Sequence, residues 1–175
     1  MTKRDGVWPS LMGDAFAHHV WASLRLIDAC LELSQDQLGT AVPGTYGSIL
    51  GTARHFVGGD AFYLAGITRD PSLLLDEDRL GLPELRAAME RQADLWLQIL
   101  GADPDPETIV EEVEDGGYRR EAPIGFRLAQ AIYHGTDHRS QICTGLTLLG
   151  IEPPGIEVWD YGLATGRSRE TWPSA

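Results

Sequence analysis

The chemistry available to this 175-residue chain is concentrated in its five histidines. His134 and His138 are four positions apart, so on a helix their side chains stack on one face, close enough to share an ion. Such a pair is half of a metal site; without a third donor it reads just as well as two polar residues on a helix surface. His55 is the natural third donor. It stands in a helical pattern with Ser48, Thr52 and Gly59, small residues that leave room beside an imidazole if that face looks into a bundle. Around the pair, Ala131, Gly135 and Gly145 make similar room, although close helix packing uses glycines in the same way.

The other two histidines are adjacent. His19 shares a helix face with Ser23, Leu26 and Cys30, and His18 with Asp14, Trp21 and Arg25; both read as structural or as supports behind a ligand. Asp60 and Asp137 are candidate acceptors for imidazole N–H groups. The sequence contains no glycine-rich phosphate loop, no His-Glu-x-x-His, no Gly-x-Ser-x-Gly and no ferritin-like Glu-x-x-His.

Four helical stretches position these residues. The first spans about Gly13 to Ser34, with Phe16, Val20, Leu24, Ile27 and Leu31 at spacings of three and four. A second begins near Thr45 to Ser48, either of which can cap it, and runs to about Ile67 before Asp70 and Pro71. Pro83 and Glu84 favour the start of a third, which ends at Gly101. Between Ala102 and Pro123 the β-favouring Thr108, Ile109, Val110 and Val113, followed by Asp115, Gly116 and Gly117, predict a short hairpin or an extended loop. The fourth helix covers about Ile124 to Gly150, and Pro153 and Pro154 follow it. Ile151 to Ala175 reads as an irregular tail whose Trp159, Tyr161 and Trp172 can pack on the bundle. The connections are too long for an ideal up-and-down arrangement, so an all-α four-helix bundle with a crossover connection is expected.

Composition narrows the partners. A length of 175 residues suits one domain, residues 1–175, able to bury on the order of 70% of its unfolded surface without help from disulfides or metal. Lys plus Arg number 14 and Asp plus Glu 26, a net charge of −12 that repels phosphate backbones and anionic lipid heads, so neither nucleic acid nor membrane is an expected partner. Cys30 and Cys143 lie far apart in helical patterns and read as reduced, buried thiols. Met1 to Ser10 lacks the apolar core of a signal peptide, and no stretch approaches the roughly 18 apolar residues of a membrane span. A cytoplasmic location is the expectation.

The run His134-Gly-Thr-Asp-His138-Arg139-Ser140-Gln141-Ile142, then Leu148-Leu149-Gly150-Ile-Glu-Pro153-Pro154 and Trp159-Asp160-Tyr161, resembles the fourth helix and tail of the DinB/YfiT-like family of bacterial metal-binding bundles. Trp21-Ala22 and Arg25 to Ala29, Pro43 to Ile49, and His55 with Asp60 and Tyr63 match upstream, so four segments covering most of the chain agree. The resemblance implies three histidine ligands, which carry over to His55, His134 and His138, the trio that spacing also suggests. Ser140 departs from the glycine often found within His-Arg-Gly-Gln, while the ligands are intact. It also implies a homodimer, and no polymerase or DNA-binding activity.

Three neutral imidazoles leave a coordination position open, the arrangement of a catalytic divalent ion, whether zinc, nickel, iron or manganese. Zinc in such a place lowers the pKa of bound water to about 7 or holds a thiol as thiolate. Relatives of this type imply transferases or isomerases that use low-molecular-weight thiols such as mycothiol or bacillithiol. The expected function is therefore a metal-dependent enzyme joining such a thiol to an electrophilic small molecule, or a hydrolase. The alternative is a bundle that binds metal or a small ligand as sensor, store or detoxification sink.

Overall fold

The computed structural model describes residues 11–113 and 115–172. Met1 to Ser10, where no signal peptide is expected, and the last three positions of the tail lie outside them. Helix α1, Gly13–Cys30, buries Phe16, Val20, Leu26 and Ile27 and ends four residues short of the expected Ser34. The polar run beyond it forms a short helix, α2 (Gln35–Leu38), because Ser34 and Gln37 close a reciprocal capping box. Helix α3, Ile49–Thr68, starts where Ser48 accepts the Gly51 N–H, which settles the choice of cap. Two single 3-10 turns, Pro71–Leu73 and Glu77–Arg79, occupy the stretch to α4, Leu82–Gly101.

The region after α4 is a hairpin. Strands β1 (Ile109–Val113) and β2 (Arg119–Pro123) pair antiparallel, and Gly116 and Gly117 make the turn with φ of 81° and 82°. Arg127, on helix α5 (Ile124–Leu148), is buried and paired with Glu112 of β1; it also donates to the Val110 carbonyl at 3.0 Å. The ion pair fastens the hairpin to α5. The tail is less irregular than expected. Glu157 and Asp160 form a capping box that starts α6, Val158–Thr165, and Gly166 ends it with φ 73°. Tyr161 packs its ring against Trp21 and His18, with centroids 5.8 and 6.0 Å away, whereas Trp159 and Trp172 are exposed rather than packed on the bundle.

The molecule is mostly helical, and its four long helices are α1, α3, α4 and α5. Helix α3 packs against α5 and α4, and α1 against α4 and α5. Helices consecutive along the chain, α1 with α3 and α4 with α5, therefore stand diagonally, so two connections cross an end of the bundle, within the expectation of at least one crossover. The centre is filled by Phe16, Phe56, Leu64, Leu85, Met89 and Trp96, with Phe16 and Trp96 rings 4.8 Å apart. Among the described residues no helix is long and apolar enough to cross a membrane.

Candidate metal centre

The side-by-side packing of α3 and α5 brings His55 to His134 and His138. One nitrogen from each of the three rings lies within 4.8 Å of the other two. His55 Nε2 and His134 Nε2 are 3.2 Å apart, close to the edge of about 3.3 Å that a tetrahedral ion imposes on two imidazoles bound at ~2.0–2.1 Å. The rings cross at steep angles, with His138 to His55 at 88° and to His134 at 71°. All three are partly buried. Loss of hydration pushes the His134 imidazolium down to about 4, helped by repulsion from His138 and His55, and burial likewise lowers His55. Both rings are thus neutral at pH 7, with lone pairs available.

Room for the ring comes from glycine, as the small-residue pattern implies. A Cβ on Gly59 would run into the His134 imidazole. Gly135 does the same service for His19, not for the trio, while Gly145 admits Ile49 and Val42 and is a helix-packing glycine. Both explanations offered by the sequence therefore hold, at different positions.

Three residues that sequence reasoning did not assign to the site surround it. Tyr46 lays its ring flat on His55, centroids 3.7 Å apart and 5° from parallel, and stands edge-on to His138. Gln141 Oε1 is 3.0 Å from His138 Nδ1. Glu77, on the second 3-10 turn, brings Oε2 to 3.6 Å from His55 Nδ1, and burial raises its carboxyl. Gln141 had a signal, since it follows His138 by three positions on the same helix face. Glu77 had none, because its loop reaches the site only through the fold.

The remaining candidates fall elsewhere. His19 is wholly buried and donates from Nε2 to Asp60 Oδ2 at 2.7 Å; Arg139 Nη1, which can only donate, faces His19 Nδ1 at 3.0 Å. The neutral imidazole thus links a buried acid to a buried base. Arg139 also bonds Ser23 Oγ at 3.1 Å and Thr136 Oγ1 at 3.1 Å, and burial pulls its guanidinium down to about 10. Asp60 does orient an imidazole N–H, but that of His19 and none of the trio. Its Oδ1 and the His134 Nδ1 are buried without a hydrogen-bond partner among the described residues. His18 donates to or accepts nothing at the trio; its Nε2 meets the Ile156 carbonyl at 2.8 Å and holds the tail. Asp137 is exposed, with no hydrogen bond or ion pair among the described residues, and orients nothing.

A helical bundle with a hairpin and a three-histidine cluster between two long helices defines a class of protein rather than an isolated fold. The chain belongs to the DinB family, whose model matches residues 9–170. Its fold is similar to that of a DinB-like protein from Bacillus cereus, with TM-score 0.65 and 16% identity over 86% of this chain and 100% of that one. Comparison with curated proteins returns no match.

Proposed function

We propose that this protein is a divalent-metal-dependent enzyme that activates a low-molecular-weight thiol, or water, at a site held by His55, His134 and His138. The observation that carries the reading is the convergence of three ring nitrogens, two of them on rings kept neutral by burial, at a partly exposed position. When bound, such a cation would supply Lewis acidity that lowers the pKa of a coordinated water, to about 7 where the ion is zinc, or keeps a thiol deprotonated. Gly59 gives the His134 ring its space, and the Glu77 carboxylate attracts the His55 Nδ1 proton, which leaves Nε2 its lone pair. Tyr46, about half exposed, walls one side and offers an aromatic face to an incoming small molecule. Asp137, His18 and His19 take no part in this chemistry.

Three imidazoles suit zinc, nickel, iron and manganese, and elemental analysis of protein isolated without a chelating column decides among them. Conjugation of a low-molecular-weight thiol to an electrophile should require both the metal and His138, so His138→Ala should abolish it. Stoichiometric metal with neither conjugation nor hydrolysis would replace this reading with a non-catalytic metal-binding role. The chain is further proposed to act as one domain that pairs into a homodimer, for which sedimentation at micromolar concentration should give twice the chain mass.

A further inference from the structure

Gln141 faces two groups with one atom. Its Oε1 lies 3.1 Å from the backbone nitrogen of Tyr46 and 3.0 Å from His138 Nδ1. An amide side chain can be turned over without changing its outline, so oxygen and nitrogen must be told apart by their partners. Here the partner decides. A backbone N–H can only donate, and the Gln141 atom facing it must therefore be the carbonyl oxygen. That oxygen has no proton to give, so the hydrogen on the second contact belongs to His138 Nδ1. The lone pair of His138 is then on Nε2.

We infer that Gln141 is a positioning residue that fixes the Nδ1–H tautomer of His138 and anchors the Tyr46 loop to α5 with the same oxygen. The loop needs an anchor. Tyr46 sits between Gly44 and Gly47, both at positive φ (80° and 146°), and its ring covers His55. Thr45 Oγ1 donates to the Val42 carbonyl at 2.7 Å, and Ala41 bridges Ser48, so the loop is closed at its base. At its tip, the Tyr46 N–H is held by Gln141. Gln141 thereby bears on two histidines, His138 through Nδ1 and His55 through the stacked phenol. The inference rests on the reading of the trio as a cation site, but the tautomer itself is a property of the metal-free protein.

The test compares wild type, Gln141→Glu and Gln141→Leu in two measurements. Long-range proton–nitrogen correlation spectra of the metal-free protein at pH 8 identify the protonated nitrogen of each histidine ring, and calorimetric titration with zinc gives affinity. In wild type and Gln141→Glu, His138 should carry its proton on Nδ1. In Gln141→Leu the Nε2–H form should appear, and zinc should bind about 10 to 100-fold more weakly, the usual cost of losing a partner that orients a ligand. Gln141→Glu, which keeps an acceptor, should stay within a few-fold of wild type. An Nε2–H tautomer in the wild type overturns the inference, and so does a leucine variant with unchanged tautomer and zinc affinity. The wild-type spectrum stands as a test even if the leucine variant fails to fold. Should zinc fail to bind wild type, the cation reading falls, while the metal-free spectrum still decides the role of Gln141.

Discussion

Gly59 offers a test in which stability and metal affinity should move apart. A Cβ added there would sit 2.9 Å from His134 Nδ1 and 3.2 Å from Nε2, and nearer still to Cε1. The ring must then retreat by about 1 Å, whereas a ligand nitrogen tolerates roughly 0.2 Å around its ideal distance. Displacing one ligand of three this way should weaken zinc binding about 10 to 100-fold, comparable to removing its orienting partner. With zinc at ~100 times the wild-type Kd, binding stabilises the fold by about 2.7 kcal/mol, and weaker binding of this degree removes about 1.3 to 2.3 kcal/mol of it. For a chain of this length each kcal/mol shifts Tm by roughly 2–4 °C, so the zinc-induced rise should shrink by about 3 to 9 °C. The metal-free protein should respond in the opposite sense or not at all. Alanine gains about 1 kcal/mol over glycine inside a helix, and displacement of the half-buried ring consumes part of that. Differential scanning calorimetry of Gly59→Ala with and without zinc measures both quantities. Wild-type zinc affinity in this variant would show that the ion does not sit where the His134 ring points, and the proposed site would fall.

The buried chain Asp60–His19–Arg139 should behave as a unit. Asp60→Leu and Arg139→Leu should each cost about 3–5 kcal/mol by stranding the opposite charge, and the double variant should cost clearly less than the sum; additive urea-denaturation energies would refute the coupling. Acid should destabilise the metal-free protein through His134. Its folded-state pKa of about 4 lies below the unfolded ~6.5, so the folded form binds fewer protons in between. Its contribution is complete above pH 6.5 and falls away toward pH 4; the interval corresponds to ~3.4 kcal/mol, reduced to about 2 by the ring's solvent access. His134→Gln should flatten this part of the stability profile between pH 6.5 and 4, and an unchanged slope would contradict the assignment. Burial pushes the Cys30 thiol up to about 12 and raises Cys143 as well, so native protein at pH 8 should react with a thiol reagent at no more than one cysteine, and at both once unfolded.

The long helices were legible because each carries an apolar stripe bounded by recognisable stops, as in α1 from Phe16 to Ile27. Spacing also suggested the trio, which the family resemblance then selected: four residues along one helix place His134 and His138 together whatever the fold, and small residues beside His55 hinted at the facing surface. What periodicity could not supply was contact across the bundle. The tail looked irregular because α6 is only eight residues long and too short for a stripe, although Glu157 and Asp160 carried its start signal. Glycines along α3 and α5 announced space without saying for whom; Gly59 admits His134, Gly135 admits His19, and Gly145 admits Ile49. Tyr46 and Glu77 come from loops, whose paths depend on the helices they join. Asp60 was one candidate among many acidic residues, most of which face solvent, and that it accepts from His19 and not from the trio follows from the placement of α1 and α3.

That diagonal order also bears on when the site can exist. His55 and His134 are 79 residues apart, and α4 with the whole hairpin must be laid down before α5 can settle against α3. A ribosome-bound chain that has released only its first half holds one imidazole of the trio, His55, and loop closure of this span is among the slower contacts a chain makes. Capture of the proposed ion by all three rings would therefore be a late event, open to the chain only once α5 has been made. A metal bridge of the proposed kind would act as a reversible staple across that span, slowing the separation of α3 from α5 and with it the opening that a protease needs.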